Sequence, residues 1–166
     1  AASLLEHQKL KRLIHVPTVT LDGMSVSLMA NIEMPEEAEQ ALEAGAAGVG
    51  LFRSEFLFMN RNTLPSEDEQ YEAYAAAVRG MRGKSVTIRT LDIGADKALS
   101  ADQVVVAPNP ALGLRAIRYC LINPDMFLVQ LRAILRASAL GSVRLLIPML
   151  VHGSEIEQTL KLVGLA

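Results

Sequence analysis

Three observations predict an α/β fold built on parallel strands. Short apolar runs alternate with amphipathic helical stretches four times along the chain. Most of the helical stretches carry their own start and stop signals. The runs of the second and third units each end at an arginine, Arg53 and Arg89. Composition agrees with one domain holding a substantial core, since 51% of the 166 residues are apolar and 20% are charged.

The elements follow in order. Ser3 to about Leu13 reads as the end of a helix, with Lys9, Lys11 and Arg12 complementing its C-terminal dipole and Pro17 stopping it. Leu21-Asp22-Gly23 is a tight turn, and Met24 to Asn31 alternates small polar with apolar side chains, as a strand does. Pro35 with Glu36 and Glu37 opens a helix that Gly45 closes. A second strand is expected over Ala47–Leu51, with Arg53 in the loop after it. Ser66 and Glu69 form a capping box ahead of Tyr71, Tyr74, Ala75 and Val78 at helical spacing; Gly80 and Gly83 end that helix. Ser85–Thr90 is the third strand, and the long loop Leu91–Pro110 carries Asp92, Asp96 and Lys97. A helix over Ala111–Leu121 brings in Arg115 and Arg118. Asn123 at N-cap and Pro124 at N1 start the next helix, whose buried stripe is Phe127, Leu131, Ile134 and Leu135. The fourth strand is Val143–Met149, and Ser154 with Glu157 caps a last helix bearing Ile156, Leu160 and Val163.

Several function classes are excluded or disfavoured. A net charge of −2 with dispersed basic residues gives no electrostatic case for nucleic acid. No apolar run approaches the roughly 18 to 20 residues of a membrane span. The start, Ala1-Ala2-Ser3, lacks the pattern of a secretory signal. A single cysteine, Cys120, excludes an internal disulfide framework and fits a reducing cytoplasm. Neither glycine-rich nucleotide fingerprint is present. The absent initiator Met and the abrupt end at Leu165-Ala166 predict a piece of a longer protein.

In a parallel α/β barrel the ligand site lies at the C-terminal ends of the strands. Asn31, Arg53 and Arg89 are expected at that level, with Arg115 folding back toward it. Guanidinium groups converging there suit phosphate and carboxylate, which each bind bidentately. Four βα units make half of a (β/α)8 barrel, which leaves two strand edges uncovered.

Three segments carry a resemblance: Gly48-Val49-Gly50-Leu51-Phe52-Arg53-Ser54-Glu55-Phe56, Thr87-Ile88-Arg89-Thr90-Leu91-Asp92-Ile93-Gly94-Ala95-Asp96-Lys97, and Asn109-Pro110-Ala111-Leu112-Gly113-Leu114-Arg115-Ala116-Ile117-Arg118. With Gln130–Ser138 and Ile147-Pro148-Met149, these resemble the enzyme I family, the phosphoenolpyruvate–protein phosphotransferases of bacterial sugar uptake. Pyruvate phosphate dikinases share the Gly-Leu-x-Arg-x-Glu core but do not usually follow the second Arg with Thr-x-Asp-Ile-Gly.

The resemblance implies a (β/α)8 TIM-barrel domain of which about the first four units are present. Residues 1–20 would end a linker helix and 21–166 would form the N-terminal half of the phosphoenolpyruvate-binding domain. It further implies a cytoplasmic homodimer that passes the phosphoryl group through a histidine on an N-terminal domain to the carrier HPr. Arg53, Arg89 and Arg115 fall on the family's arginines at the substrate. Glu55 and Asp92 are cast as orienters of those arginines, and Lys97 as an extra cation.

The family's Mg2+ ligands, and its cysteine that protonates the enolate, belong to a part of the barrel beyond this chain. On that reading the isolated chain is inactive. The alternatives are a non-catalytic binding or dimerisation piece, or a nitrogen-regulating paralogue as parent. Cys120 is read as a small buried thiol, and His7, His15 and His152 as structural or exposed. Met29, Met34, Met59 and Met149 are read as core filler, and the acidic clusters Glu36/Glu37 and Glu67/Asp68/Glu69 as helix-start charges.

Overall fold

A computed structural model describes residues 12–14, 16–94, 109 and 112–166. Strands β1 (Ala30–Ile32), β2 (Val49–Arg53), β3 (Val86–Arg89) and β4 (Val143–Leu146) form one sheet, ordered β1-β2-β3-β4. All three strand pairs are parallel. The helices are α1 (Glu37–Glu43), α2 (Glu67–Gly80), α3 (Ala116–Ile122), α4 (Pro124–Ser138) and α5 (Gly153–Leu165). The expected α/β class with a parallel sheet is therefore observed. The helix end expected near Leu13 lies mostly outside the described residues.

Two apolar clusters hold the unit together. The first joins Ile32, Val49, Phe52, Val86 and Ile88 of the sheet to Ala38, Tyr74, Val78, Ala133, Ile134 and Ala137 of α1, α2 and α4. Phe52 meets Tyr74 edge-on at a ring separation of 6.0 Å. The second gathers Phe58, Leu91, Ile93, Ile117, Cys120, Phe127 and Leu131 beneath the end of β3. In β3, Val86 and Ile88 are buried while Thr87 and Arg89 are only partly covered, so the helices occupy one face of the sheet. Gly48, just before β2, and Gly50 within it accommodate Met29: a Cβ on Gly48 would fall 2.7 Å from Met29 Cε, and one on Gly50 2.9 Å from Met29 Cβ.

Several boundaries differ from expectation. The alternating run at Met24–Asn31 is mostly not a strand of the sheet; its start turns back on itself through an antiparallel bridge between Val19 and Ser25, with Gly23 at φ 86°. Only Ala30–Ile32 pairs with β2. Arg53 lies in β2, because the ladder continues to an Arg53–Arg89 pair. Arg115 precedes α3 as an extended N-cap residue, since its backbone bridges to Gly94 and Ala116 N donates to the Ile93 carbonyl. β4 stops at Leu146, ahead of Pro148, which has no amide to donate.

Packing brings further corrections. Leu135 is exposed where a buried position was expected, and Ile156 and Leu160 point to solvent while Leu162 and Val163 pack inward. Met29, Met34 and Met59 are exposed, lying on edges and turns, whereas Met149 packs on the second cluster.

Carboxylates fasten the helix starts. The Ser66–Glu69 box forms as expected, with Ser66 N donating to Glu69 Oε2 at 2.7 Å and Glu69 N to Ser66 Oγ at 3.2 Å. In α1 the equivalent acceptor is Glu37, which takes the amides of Glu33 and Met34. In α5 it is Glu155, not Glu157: its Oε2 accepts from Val151 N and His152 N, so that box starts earlier than Ser154. Asn123 caps nothing with its side chain, which instead donates to the Tyr119 carbonyl at 3.0 Å. Backbone amides hold the Glu37, Glu69 and Glu155 carboxyls below their usual 4.5.

That arrangement has a sign. A carboxyl whose folded pKa is lowered stabilises fully above its unfolded value and progressively less as pH falls through the folded one. Thermal melts should therefore show Tm dropping as pH descends below about 4.5. Combining Glu37→Gln with Glu155→Gln should flatten that drop, and an unaltered slope in the double variant would refute the assignment. Ser66→Ala should cost about 1 kcal/mol, read by denaturant titration.

Cys120 is fully buried in the second cluster, and desolvation, with Asp92 adding to it, pushes its thiol up to about 12. At pH 8 only about one thiol in ten thousand would be ionised. Alkylation by iodoacetamide should thus await unfolding; rapid modification of the native protein would show the burial to be wrong.

Candidate anion-binding site

The sheet itself brings the first two arginines together. Parallel pairing of β2 with β3 sets Arg53 opposite Arg89, and neighbouring strands run about 4.8 Å apart. Both strands point the same way, so both arginines arrive at the C-terminal edge. Arg115 reaches this edge from the far side of the loop after β3, because the bridge to Gly94 holds its backbone extended against that loop's start.

Ion pairs order these side chains. Arg89 donates to Glu55 Oε1 through Nε at 3.2 Å and through Nη2 at 2.9 Å. Its Nη1 lies 3.4 Å from Asp92 Oδ2, and Arg115 Nη2 donates to Asp92 Oδ1 at 2.9 Å. The Asp92 amide closes the set by donating to Glu55 Oε1 at 3.1 Å. The result is a continuous chain Glu55–Arg89–Asp92–Arg115. Arg53 stands beside it and pairs at 3.3 Å with Glu33, which follows β1. Side-chain exposure is 40% for Arg53, 28% for Arg115 and 22% for Arg89, so the arginine with the most ties is also the most enclosed.

Unsatisfied polar atoms concentrate here. Five buried side-chain N or O atoms lack a hydrogen-bond partner among the described residues: Arg53 Nε, Glu55 Oε2, Arg61 Nε, Thr90 Oγ1 and Arg115 Nε. All but Arg61 belong to the strand-end cluster or the residue after Arg89. Leaving such a group unpaired costs about 1–3 kcal/mol; the two Nε–H groups and the Thr90 hydroxyl could donate to an anion, whereas Glu55 Oε2 can only accept.

A buried amide network lies beneath. Ser54 Oγ donates to the Arg89 carbonyl at 2.8 Å and accepts from Gln130 Nε2 at 3.1 Å. Gln130 also donates to the Tyr74 hydroxyl at 3.1 Å and accepts from Leu91 N at 3.0 Å. Glu33, Ser54 and Gln130 are the residues that the sequence reading missed. Gln130 reads on sequence as one more residue of a helix, and nothing local marks its partners.

The remaining expectations divide. Arg53, Glu55, Arg89, Asp92 and Arg115 come to one edge. Asn31 sits mid-strand, opposite Leu51, and so falls short of that level. Lys97 lies outside the described residues, as do His7 and His15. His152 is exposed at the start of α5.

Among the described residues no three His, Cys, Asp or Glu side chains gather closely enough to hold a metal ion. Glu55 and Asp92 are already engaged by arginines, so these residues do not fit the Mg2+ that the resemblance implies. No helix among the described residues is long and apolar enough to cross a membrane.

Comparison with known proteins gives the family. A family model described as "PEP-utilising enzyme, PEP-binding domain" matches residues 7–165. The phosphoenolpyruvate-protein phosphotransferase of Cupriavidus necator is 65% identical over 165 residues, which is 98% of this chain and 28% of that protein. The Bacillus subtilis protein of the same name is 46% identical over 157 residues, covering 95% of this chain and 28% of that protein. That of Staphylococcus carnosus is 48% identical over 144 residues, 87% of this chain and 25% of that protein. The chain thus spans about a quarter of the length of these curated relatives. With the family match covering nearly all of it, the chain belongs to the PEP-binding domains of PEP-utilising enzymes.

Proposed function

We propose that this chain is the part of a phosphoenolpyruvate–protein phosphotransferase that grips the substrate's phosphate. The observation that carries the reading is the braced arginine chain, Glu55–Arg89–Asp92–Arg115, with Arg53 beside it. Arg89 is held on its Nε edge and at both terminal nitrogens, which fixes the plane of its guanidinium. Arg53 and Arg115 keep unpaired N–H groups for the incoming anion. Phosphoryl transfer needs mainly positioning and charge neutralisation, which fixed guanidinium forks supply without reorganising. Glu55 and Asp92 then act as orienters, and Glu33 is the carboxylate that the ligand must displace from Arg53.

In this proposal the four strands are consecutive members of a closed (β/α)8 barrel. Their sequential, wholly parallel order supports it. So do the exposed apolar side chains at the β4–α5 end, Leu145, Leu150, Val151, Ile156 and Leu160, which further barrel units would cover. The full-length protein would be a cytoplasmic homodimer that passes the phosphoryl group to its own histidine and on to HPr for sugar uptake. Mg2+, whose ligands would lie outside this chain, would neutralise phosphate charge when bound.

Phosphotransfer assays decide this. Arg53→Ala and Arg89→Ala in the full-length protein should each cut kcat/KM for phosphoenolpyruvate by about 100-fold or more, the scale of a lost transition-state donor. Near-normal kinetics in both would end the clamp assignment. The isolated 166-residue chain should not label HPr from phosphoenolpyruvate. Labelling by it would overturn the claim that groups outside the chain are required.

A further inference from the structure

We propose that Gln130 is a positioning residue that sets the spacing of the arginine-bearing strand ends. The inference rests on the phosphate-clamp reading above and adds a residue to it. Gln130 projects from α4, lies 1% exposed, and uses both ends of its amide on the segments that follow the two strands. Its Oε1 accepts from Leu91 N at 3.0 Å across 39 residues of chain, and its Nε2 donates to Ser54 Oγ at 3.1 Å across 76. Ser54 is bonded covalently to Arg53, and its hydroxyl donates to the carbonyl of Arg89 at 2.8 Å. Leu91 is bonded to Asp92, whose amide and carboxylate hold Glu55 and Arg115. A single planar amide thus touches a neighbour of Arg53, Glu55, Arg89 and Asp92, and reaches Arg115 only through Asp92.

A buried glutamine with a purely structural task needs only to be satisfied, and one partner at each end would do. Gln130 instead closes a bridge between the residue after Arg53 and the residue before Asp92. Those segments have no ladder to set their spacing: the strand pairing of β2 with β3 ends at Arg53 and Arg89. Its Nε2 makes a second bond, to the Tyr74 hydroxyl, which in turn donates to Gln70 Oε1 at 3.3 Å. Burial raises the Tyr74 phenol well above its usual 10, so this hydroxyl stays neutral and keeps its proton for Gln70. The amide orientation is therefore fixed from both sides. A misplacement of about 1 Å at such a site is enough to cost catalysis heavily.

The test uses the full-length protein and steady-state phosphotransfer from phosphoenolpyruvate, well below each variant's Tm. Gln130→Met keeps the volume and removes both ends of the bridge. Ser54→Ala removes the hydroxyl that joins Gln130 Nε2 to the Arg89 carbonyl, leaves the link to Leu91 in place, and serves if Gln130→Met does not fold. Gln70→Met perturbs the same buried network at its outer end, where Gln70 meets Pro65 and Tyr74, and reaches no strand end. Gln130→Met should raise KM for phosphoenolpyruvate at least tenfold, and Ser54→Ala several-fold. Gln70→Met should stay within twofold of the parent even where its Tm falls. A Gln130→Met (or, if it is unfolded, a Ser54→Ala) enzyme within twofold of the parent would overturn the proposal. So would Gln70→Met matching the effect, because loosening of the core would then explain both. Arg89→Ala, run alongside, separates the layers. If it binds substrate normally, the phosphate reading itself fails; if it alone loses binding, only the role of Gln130 falls.

Discussion

The strand-end cluster depends on one carboxylate oxygen. Glu55 Oε1 accepts two N–H groups of Arg89 and the amide of Asp92, at 3.2, 2.9 and 3.1 Å. The need for it follows from the sheet. Parallel pairing makes Arg53 and Arg89 neighbours, and like charges about 5 Å apart repel by about 3 kcal/mol at an effective dielectric near 20. Glu55 is 8% exposed, so its own charge must be paired to be tolerated. The two requirements meet in one contact, and Asp92 repeats the solution between Arg89 and Arg115. Removing either carboxylate would leave a guanidinium both repelled and free to turn.

Behind that cluster, the helices set where the strand ends can lie. Arg132 and Arg136 of α4 reach Glu67 of α2 at 2.7 and 2.8 Å, and Arg136 also stacks 4.2 Å over the Tyr71 ring. Exposed pairs of this kind contribute little energy each, about 0–1 kcal/mol, yet as a network they fix how the two helices register. That register aims Gln130 at Ser54 and Leu91. Apolar packing of Phe52 and Ile88 against Tyr74 and Ile134 supplies the adhesion, while the polar contacts choose the alignment.

Much of this was legible in the sequence, and the failures have physical causes. The alternation of strands and helices could be read because each helix announces itself locally, through Ser66 with Glu69, or Pro124 at N1. Arg53 and Arg89 could be singled out because each ends an apolar run, whereas Arg115, expected inside a helix over Ala111–Leu121, was marked by the resemblance. Where two local signals compete, sequence cannot choose: Glu155 and Glu157 both stand near a helix start, and only the amides of Val151 and His152 decide between them. Met24–Asn31 alternates like a strand, but a short hairpin at Val19–Ser25 takes up its beginning. Glu33 and Gln130 were illegible for a different reason. Their partners lie 20 residues away or more, so no window of sequence contains the interaction.

Charge balance constrains what the cluster can receive. Three guanidinium groups face three carboxylates, Glu33, Glu55 and Asp92, so the ordered array is formally neutral before any ligand arrives. A singly charged ligand would compete with Glu33 for Arg53 on nearly equal terms. A phosphate brings more charge and more acceptor oxygens, and so would be the stronger competitor for Arg53 in the proposed clamp. Glu33 is about half exposed and can turn to water at small cost, whereas Glu55 cannot. The array therefore has one carboxylate that yields and two that hold. In the proposed clamp, that division would let it bind a multiply charged anion without losing the geometry that makes binding useful.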